Sequence, residues 1–160
     1  SLIHEKLYRS SELMKVNAGV YLRELVGELG AAFSSDSMIK VDVESLDIWI
    51  NAKEAVACGL IVNELVTNAF KYAFRGKSTG RILVRMDDMG EDQQDCAWIN
   101  LTVADDGIGM PAEDRQKITK GLGLRLVRIM VEQLNGTLTV QDNQPGTSFH
   151  IRYCSSGLLN

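Results

Sequence analysis

No apolar run in this chain approaches the roughly 18 residues of a membrane span, and no signal-peptide pattern opens it. Cysteine is scarce. Cys58, Cys96 and Cys154 are an odd number at wide spacing, which gives neither a disulfide framework nor a metal-ligand pattern, so all three are expected to be reduced thiols in a cytosolic setting. Excess positive charge is also missing. A net charge of −4 argues against a nucleic-acid surface, which needs clustered Lys and Arg. Repeats and low-complexity tracts are absent. What remains is 160 residues with 45% hydrophobic and 24% charged content, enough for one globular domain with a sizeable core. A start at Ser-Leu-Ile without Met reads as an excised fragment.

Two periodicities alternate along the chain. Leu22, Leu25, Val26, Leu29 and Phe33 recur at three- and four-residue spacing and predict a helix from Val20 to Phe33. Ile39, Val41 and Val43 alternate with Lys40, Asp42 and Glu44, the pattern of a half-buried strand. A short strand is expected within Leu46 to Ile50. Asn51 and Glu54 have capping-box form and open a long helix over 52–73. Gly59 inside it predicts a close approach or an irregular first turn.

Further strands are expected at Arg81–Asp87, Ala97–Ala104, Thr137–Gln141 and Thr147–Tyr153. A helix is expected at Leu124–Leu134, stopped by Asn135-Gly136, and one helical turn near Glu113–Lys117. Residues 1 to about 9 also look helical. The order predicts an α+β fold, a two-layer α/β sandwich with helices packed on one face of a mixed sheet. The expected division is 1–16 as the tail of a preceding helix and a linker, 17–154 as the domain, and 155–160 as a C-terminal tail.

Three constellations carry chemistry. On a helix, residues advance about 100° each, so Glu64, Asn68 and Lys71 share a narrow polar face, while Asn63 points away from it. Alone, that face also fits an ordinary solvated helix edge. The second constellation is Asp105-Asp106-Gly107-Ile108-Gly109 after the strand WINLTVA. A carboxylate at a strand end can accept from an exocyclic amine, and spaced glycines allow close approach to a flat ring. The same residues also suit a common turn. The third is Gly121-Leu122-Gly123-Leu124, entering a helix, where free N–H groups could bind an anion. The third glycine of the dinucleotide fingerprint and the Gly-Lys-Ser/Thr of a Walker loop are both missing.

Together, in this order and followed by Gly146-Thr147, the motifs resemble the Bergerat-type ATPases, which include histidine kinases, gyrase-type topoisomerases, Hsp90 chaperones and mismatch-repair ATPases. The resemblance covers roughly residues 36–153. CGLIVNELVTNAFKYAF is similar to the catalytic, ATP-binding domain of sensor histidine kinases of the HWE-related branch.

That resemblance implies ATP and Mg²⁺. Asn68 would ligate Mg²⁺, Glu64 would orient or deprotonate the acceptor beside the γ-phosphate, Lys71 would contact phosphate and Tyr72 would line the site. Asp105 would bind the adenine amine, with Thr147 behind it and Gly107, Ile108 and Gly109 as walls. Gly121, Leu122, Gly123 and Leu124 would meet the phosphates, and residues 110–122 would form a lid. Lys117, Lys120 and Arg125 could add positive charge there, or be solvated loop cations. Residues 110–120 contain no Phe, a departure from many histidine kinases.

The implied partners are histidine-bearing dimerisation helices of the same protein and a response-regulator receiver domain, in a dimeric, cytoplasmic full-length kinase. His4 does not continue an acceptor box and His150 is expected at a surface or edge, so the acceptor is expected outside this chain. Two other readings remain: a non-catalytic ATP-binding regulatory module, and a serine kinase of the anti-sigma type on the same fold.

Overall fold

The computed structural model describes residues 2, 3, 5, 6, 14–33, 38–120 and 124–155. Residues 2, 3, 5 and 6 are helical; the rest of the expected N-terminal helix, His4 included, lies outside the described residues.

The sheet is built from strands that alternate inward and outward side chains. β2 (Met38–Ser45), β4 (Thr79–Glu91), β5 (Ala97–Asp105), β6 (Thr137–Asp142) and β7 (Thr147–Ser155) lie in the order β2-β4-β5-β7-β6. β2 runs parallel to β4 and every other pairing is antiparallel, so the sheet is mixed. Ile82, Val84, Met86, Ile99, Leu101, Ile151 and Tyr153 are buried on its inner face. Outward, Arg81 pairs with Asp42 and Arg85 with Glu44, both exposed pairs of small energetic weight.

Helices α1 (Ala18–Phe33), α2 (Ala52–Asn68) and α4 (Arg125–Gln133) contribute Leu22, Val26, Ile61, Val62, Leu65, Val127 and Val131 to the same core. The expected two-layer α+β sandwich is what the chain forms. Asn51 caps α2: its side chain accepts from the Glu54 amide at 2.8 Å. Gly59 sits where α1 crosses α2, and a Cβ there would overlap the Tyr21 hydroxyl. Close approach, rather than an irregular turn, explains this glycine.

Several boundaries differ from expectation. α1 begins at Ala18, two residues before the expected start at Val20, because the Asn17 side chain accepts from the Val20 amide at 3.2 Å as an N-cap. The strand expected within Leu46–Ile50 is β3 (Trp49–Asn51). It pairs with β1 (Lys15–Asn17) in a separate two-stranded sheet at the boundary expected between linker and domain. The helical turn near Glu113–Lys117 extends to α3 (Ala112–Thr119). The long helix breaks at Asn68, and Ala69–Ala73 continue as one π-helical turn.

The cysteine reading is corrected. Cys96 and Cys154 form a disulfide, with Cα atoms 5.5 Å apart, and Cys58 alone is a free, buried thiol. A separation of 58 residues along the chain does not separate them in space. β5 and β7 are antiparallel neighbours, and Cys154 lies opposite Trp98, two residues after Cys96.

Candidate functional site

The break in the long helix sets the site. α2 delivers Asn68 to the end of the sheet where β5 ends and β7 begins. The π turn then brings Tyr72 and Ala73 into the lining of a cavity of about 520 Å³, within the ordinary range for small-molecule sites. π turns of this kind are frequent at functional positions.

The cavity is lined by Asn68 and Tyr72 from this segment, by Asp105, Ile108 and Gly109 from the loop after β5, by Leu124 at the start of α4, and by Thr147 of β7. The structure thus gathers seven of the sequence-singled residues. Glu64, Lys71 and Gly107 do not line it. Glu64 is half-buried and Lys71 exposed, so the narrow face drawn from uniform helical geometry does not continue through the π turn. Gly121, Leu122 and Gly123 lie outside the described residues.

Asp105 is the best-defined polar group. Its residue is 6% exposed. One carboxylate oxygen, Oδ1, accepts from the Gly107 amide at 2.9 Å and from the Thr147 amide at 3.2 Å. Oδ2 accepts from no described residue and is not sealed from solvent. Burial raises the carboxyl above its usual range, opposed by those two amides; neighbouring Asp106 raises it further and Lys77 lowers it. The adjacent carboxylate has another task. Asp106 Oδ1 accepts from the Arg81 amide at 2.7 Å and ties the loop to the start of β4. The Asp-Asp pair therefore divides between Asp105, which lines the cavity, and Asp106, whose side chain serves the backbone.

Backbone contact explains the glycines. The Ile108 amide donates to the Ala73 carbonyl at 2.7 Å, and a Cβ on Gly107 would collide with that same carbonyl. Gly109, at φ +74°, and Gly146, at φ +102°, occupy the left-handed region that favours glycine. A Cβ on Gly146 would overlap the Asp105 carbonyl oxygen. The loop after β5 is thus locked onto the π turn on one side and onto the β6–β7 turn on the other.

Sequence reasoning missed Arg75 and Asn143. Arg75 lines the cavity and stacks over the Tyr72 ring, 5.1 Å from its centroid. Asn143 donates from Nδ2 to the Asp105 carbonyl at 2.7 Å. An Asn two residues before Pro-Gly is a turn signal in sequence, but nothing there says which carbonyl it meets.

Helix α3, within the segment expected to form a lid, is partly self-contained. Lys117 lies 3.7 Å from Glu113 and 3.9 Å from Asp114, while Arg115 donates to the Met110 carbonyl at 2.6 Å. Lys120 and Arg125 are exposed. His150 sits on β7, which has partners on both sides, so it is on the open face of an interior strand and not at an edge. Its ring lies 2.7 Å from Ser148 Oγ and 3.3 Å from Thr102 Oγ1.

A mixed sheet with helices on one face, and a buried carboxylate presented to a cavity between an Asn-bearing helix and a glycine loop, define a nucleotide-binding domain of the Bergerat class. Residues 54–155 match the family described as histidine kinase-, DNA gyrase B-, and HSP90-like ATPase, and the chain belongs to it. Within that family it is the ATP-binding catalytic domain of the sensor histidine kinase type.

Among its relatives is blue-light-activated histidine kinase 2 of Erythrobacter litoralis, 30% identical over 133 residues, covering 83% of this chain and 37% of that protein. Sensor histidine kinase PdtaS of Mycobacterium tuberculosis is 27% identical over 156 residues, covering 95% of this chain and 30% of that one. The chain therefore spans about a third of the length of these relatives. Among solved structures, the Erythrobacter litoralis EL346 blue-light activated histidine kinase superposes with a TM-score of 0.76 at 28% identity, over 88% of this chain and 42% of that chain. Mycobacterial sensor histidine kinase MprB shares the fold, with a TM-score of 0.68 at 21% identity over 88% of this chain and 96% of that one.

Proposed function

We propose that this domain binds Mg²⁺-ATP and donates the γ-phosphoryl group to a histidine on dimerisation helices of the same protein, outside this chain. A response-regulator receiver domain would then take the phosphoryl group from that histidine. The observation that carries the reading is Asp105: a buried carboxylate in the lining of the cavity that Asn68 also lines, with Oδ1 pinned by two amides and Oδ2 accepting from no described residue.

Adenine suits this end of the cavity. Its exocyclic amine is a donor for Oδ2, whereas a guanine presents a carbonyl at the same position and would meet the carboxylate oxygen to oxygen. Gly109 leaves room for a flat ring, and Ile108, Leu124 and Phe149 give the walls apolar contact. Tyr72 and Arg75 stand at the opening.

Asn68 offers one neutral oxygen at the phosphate end. Among the described residues no cluster of three His, Cys, Asp or Glu side chains forms a cation cage. Those donors fit Mg²⁺, which takes oxygen ligands, keeps several waters and is commonly held through substrate phosphates. When bound, Mg²⁺ would neutralise phosphate charge. The chain's own part is to position: Asn68 fixes the phosphate end, Asp105 fixes the base, and Glu64, one turn before Asn68 on α2, would orient or deprotonate the acceptor. Lys71 would contribute charge from outside the cavity lining. Phosphoryl transfer depends mainly on such positioning and charge stabilisation.

No helix among the described residues is long and apolar enough to cross a membrane. The proposed setting is the cytoplasm, on the ATP supply the site requires, in a full-length dimer.

The test is phosphorylation in trans. The chain is incubated with γ-labelled ATP, Mg²⁺ and a separately produced dimerisation segment. Label that is stable to base and labile to acid identifies histidine as the acceptor. Acid-stable label would move the reading to a serine kinase of the anti-sigma type. ATP binding without transfer, to this or to a longer segment, would make the domain a regulatory nucleotide sensor.

A further inference from the structure

The turn between β6 and β7 does more than support Asp105 from behind. β5 and β7 pair in register up to Ala104 opposite Ser148. The next antiparallel pair would be Asp105 opposite Thr147, and there the ladder is rerouted. The Thr147 amide donates to the Asp105 carboxylate Oδ1 at 3.2 Å. The Asp105 main-chain carbonyl is instead taken by Asn143 Nδ2 at 2.7 Å. Asn143 is itself held, its amide donating to the Gly146 carbonyl at 3.0 Å, and Gly146 packs directly on the Asp105 carbonyl. One side-chain amide thus replaces the strand's missing donor and frees a strand amide for the carboxylate.

We propose that Asn143 is a positioning residue for adenine selectivity: by occupying the Asp105 carbonyl, it keeps the Thr147 amide on the carboxylate and so holds Oδ2 in line for the base amine. This rests on the adenine reading of Asp105. Without Asn143, the Asp105 carbonyl is an unpaired acceptor beside the Thr147 amide, and a buried carbonyl without a donor is costly. The Thr147 amide then returns to the carbonyl, and the carboxylate keeps only the Gly107 amide and swings.

The effect is confined to the base. Inosine triphosphate has the phosphates and ribose of ATP but carries an oxygen where ATP has the amine. Calorimetry of this chain with Mg²⁺ and either nucleotide gives an affinity ratio that a general loss of stability or of phosphate contacts leaves untouched. Wild type should prefer ATP over inosine triphosphate by about tenfold or more, the scale of one charged hydrogen bond. Asn143→Ala should weaken ATP by about tenfold and inosine triphosphate hardly at all. Asn143→Asp keeps the side chain's shape, lacks the donor and sets an oxygen against the Asp105 carbonyl; it should lose the preference at least as fully.

Asp105→Asn is the reference. If it removes the preference while both Asn143 variants retain it, the positioning role is wrong and the adenine reading stands. If it leaves ATP affinity and the ratio unchanged, the adenine reading itself fails. Equal weakening of both nucleotides by both Asn143 variants would overturn the proposal, since that is what loss of a purely structural bond produces.

Discussion

β5 and β7 lie side by side along most of their length, and their two ends are finished in opposite ways. At the Ala97–Ser155 end the strands are closed. Cys96 is bonded to Cys154, Trp98 donates to Asp92 at 2.7 Å while Arg152 lies 4.2 Å from its ring centroid, and Ser155 donates to the buried Glu54 at 2.7 Å. Close by, Cys58 donates to the Tyr153 hydroxyl at 3.7 Å, and burial pushes that thiol up to about 12, far from reactive. At the Asp105–Thr147 end the ladder is opened. A carboxylate takes an amide from the neighbouring strand, glycines replace side chains, and one carboxylate oxygen accepts from no described residue. Satisfied polar groups stabilise; the group left partly unsatisfied is the one that can bind.

The contrast predicts a clean separation of stability from binding. The largest expected effect is at the closed end. The disulfide ties together residues 58 positions apart, a crosslink worth on the order of 2–4 kcal/mol. Reductant, or Cys96→Ser, should lower unfolding free energy in urea by that amount and leave ATP affinity unchanged. A urea midpoint indifferent to reductant would mean that this end does not depend on its crosslink.

Next in size is Asp105→Asn at the open end. The amide oxygen can still accept from Gly107 and Thr147, which turns the NH₂ toward the adenine amine, donor against donor. ATP affinity should fall by about a hundredfold, near 3 kcal/mol, with little change in the thermal midpoint. Loss of stability in proportion to loss of binding would erase the distinction between the two ends. Ser155→Ala is smaller. It removes one donor from a carboxylate that is 7% exposed and should cost about 1.5–2 kcal/mol of stability, read by thermal melting, again without altering nucleotide affinity.

Those two ends were unequally legible in the sequence. The open end announces itself locally: Asp-Asp-Gly-Ile-Gly follows a strand, and Gly146-Thr147 starts one, so short motifs mark each piece. The two-layer fold was also legible, because the periods of two and of three to four carry its elements. The closed end depends on residues far apart. Nothing near Cys96 points to Cys154, and Glu54 reads as a capping-box member although its carboxylate accepts from Ser155, 101 residues on. The π turn escaped for a different reason. A period drawn through Glu64, Asn68 and Lys71 assumes uniform helical rise, whereas the helix changes register after Asn68 in the π turn Ala69–Ala73, whose last carbonyl accepts from Ile108 of the loop after β5. That change brings Tyr72 to the cavity and leaves Lys71 outside it.

The smallest effect is also the sharpest, because it has opposite signs in the free and bound protein. Burial raises the Asp105 carboxyl in the folded state, with Asp106 adding to the rise and Lys77 and two amides opposing it. A raised folded value means that the empty protein gains stability from Asp105 when it is protonated. That contribution is present below the unfolded carboxyl range and is lost as pH rises through the folded value. Nucleotide binding needs the ionised form, so base affinity should fall as pH drops through the same raised value, at a higher pH than an ordinary carboxylate would require. Between pH 7 and the acid limb, the difference in melting temperature between wild type and Asp105→Asn should therefore move in favour of wild type as pH falls. Over that interval the wild-type preference for ATP over inosine triphosphate should shrink. Using the ratio of two triphosphates cancels titration of the phosphates themselves, and using Asp105→Asn as the stability reference cancels every other carboxylate. If both quantities moved in the same direction, the Asp105 carboxyl would not be held above its ordinary range by burial, and the open end of the sheet would lose its claim to hold the partly unsatisfied group.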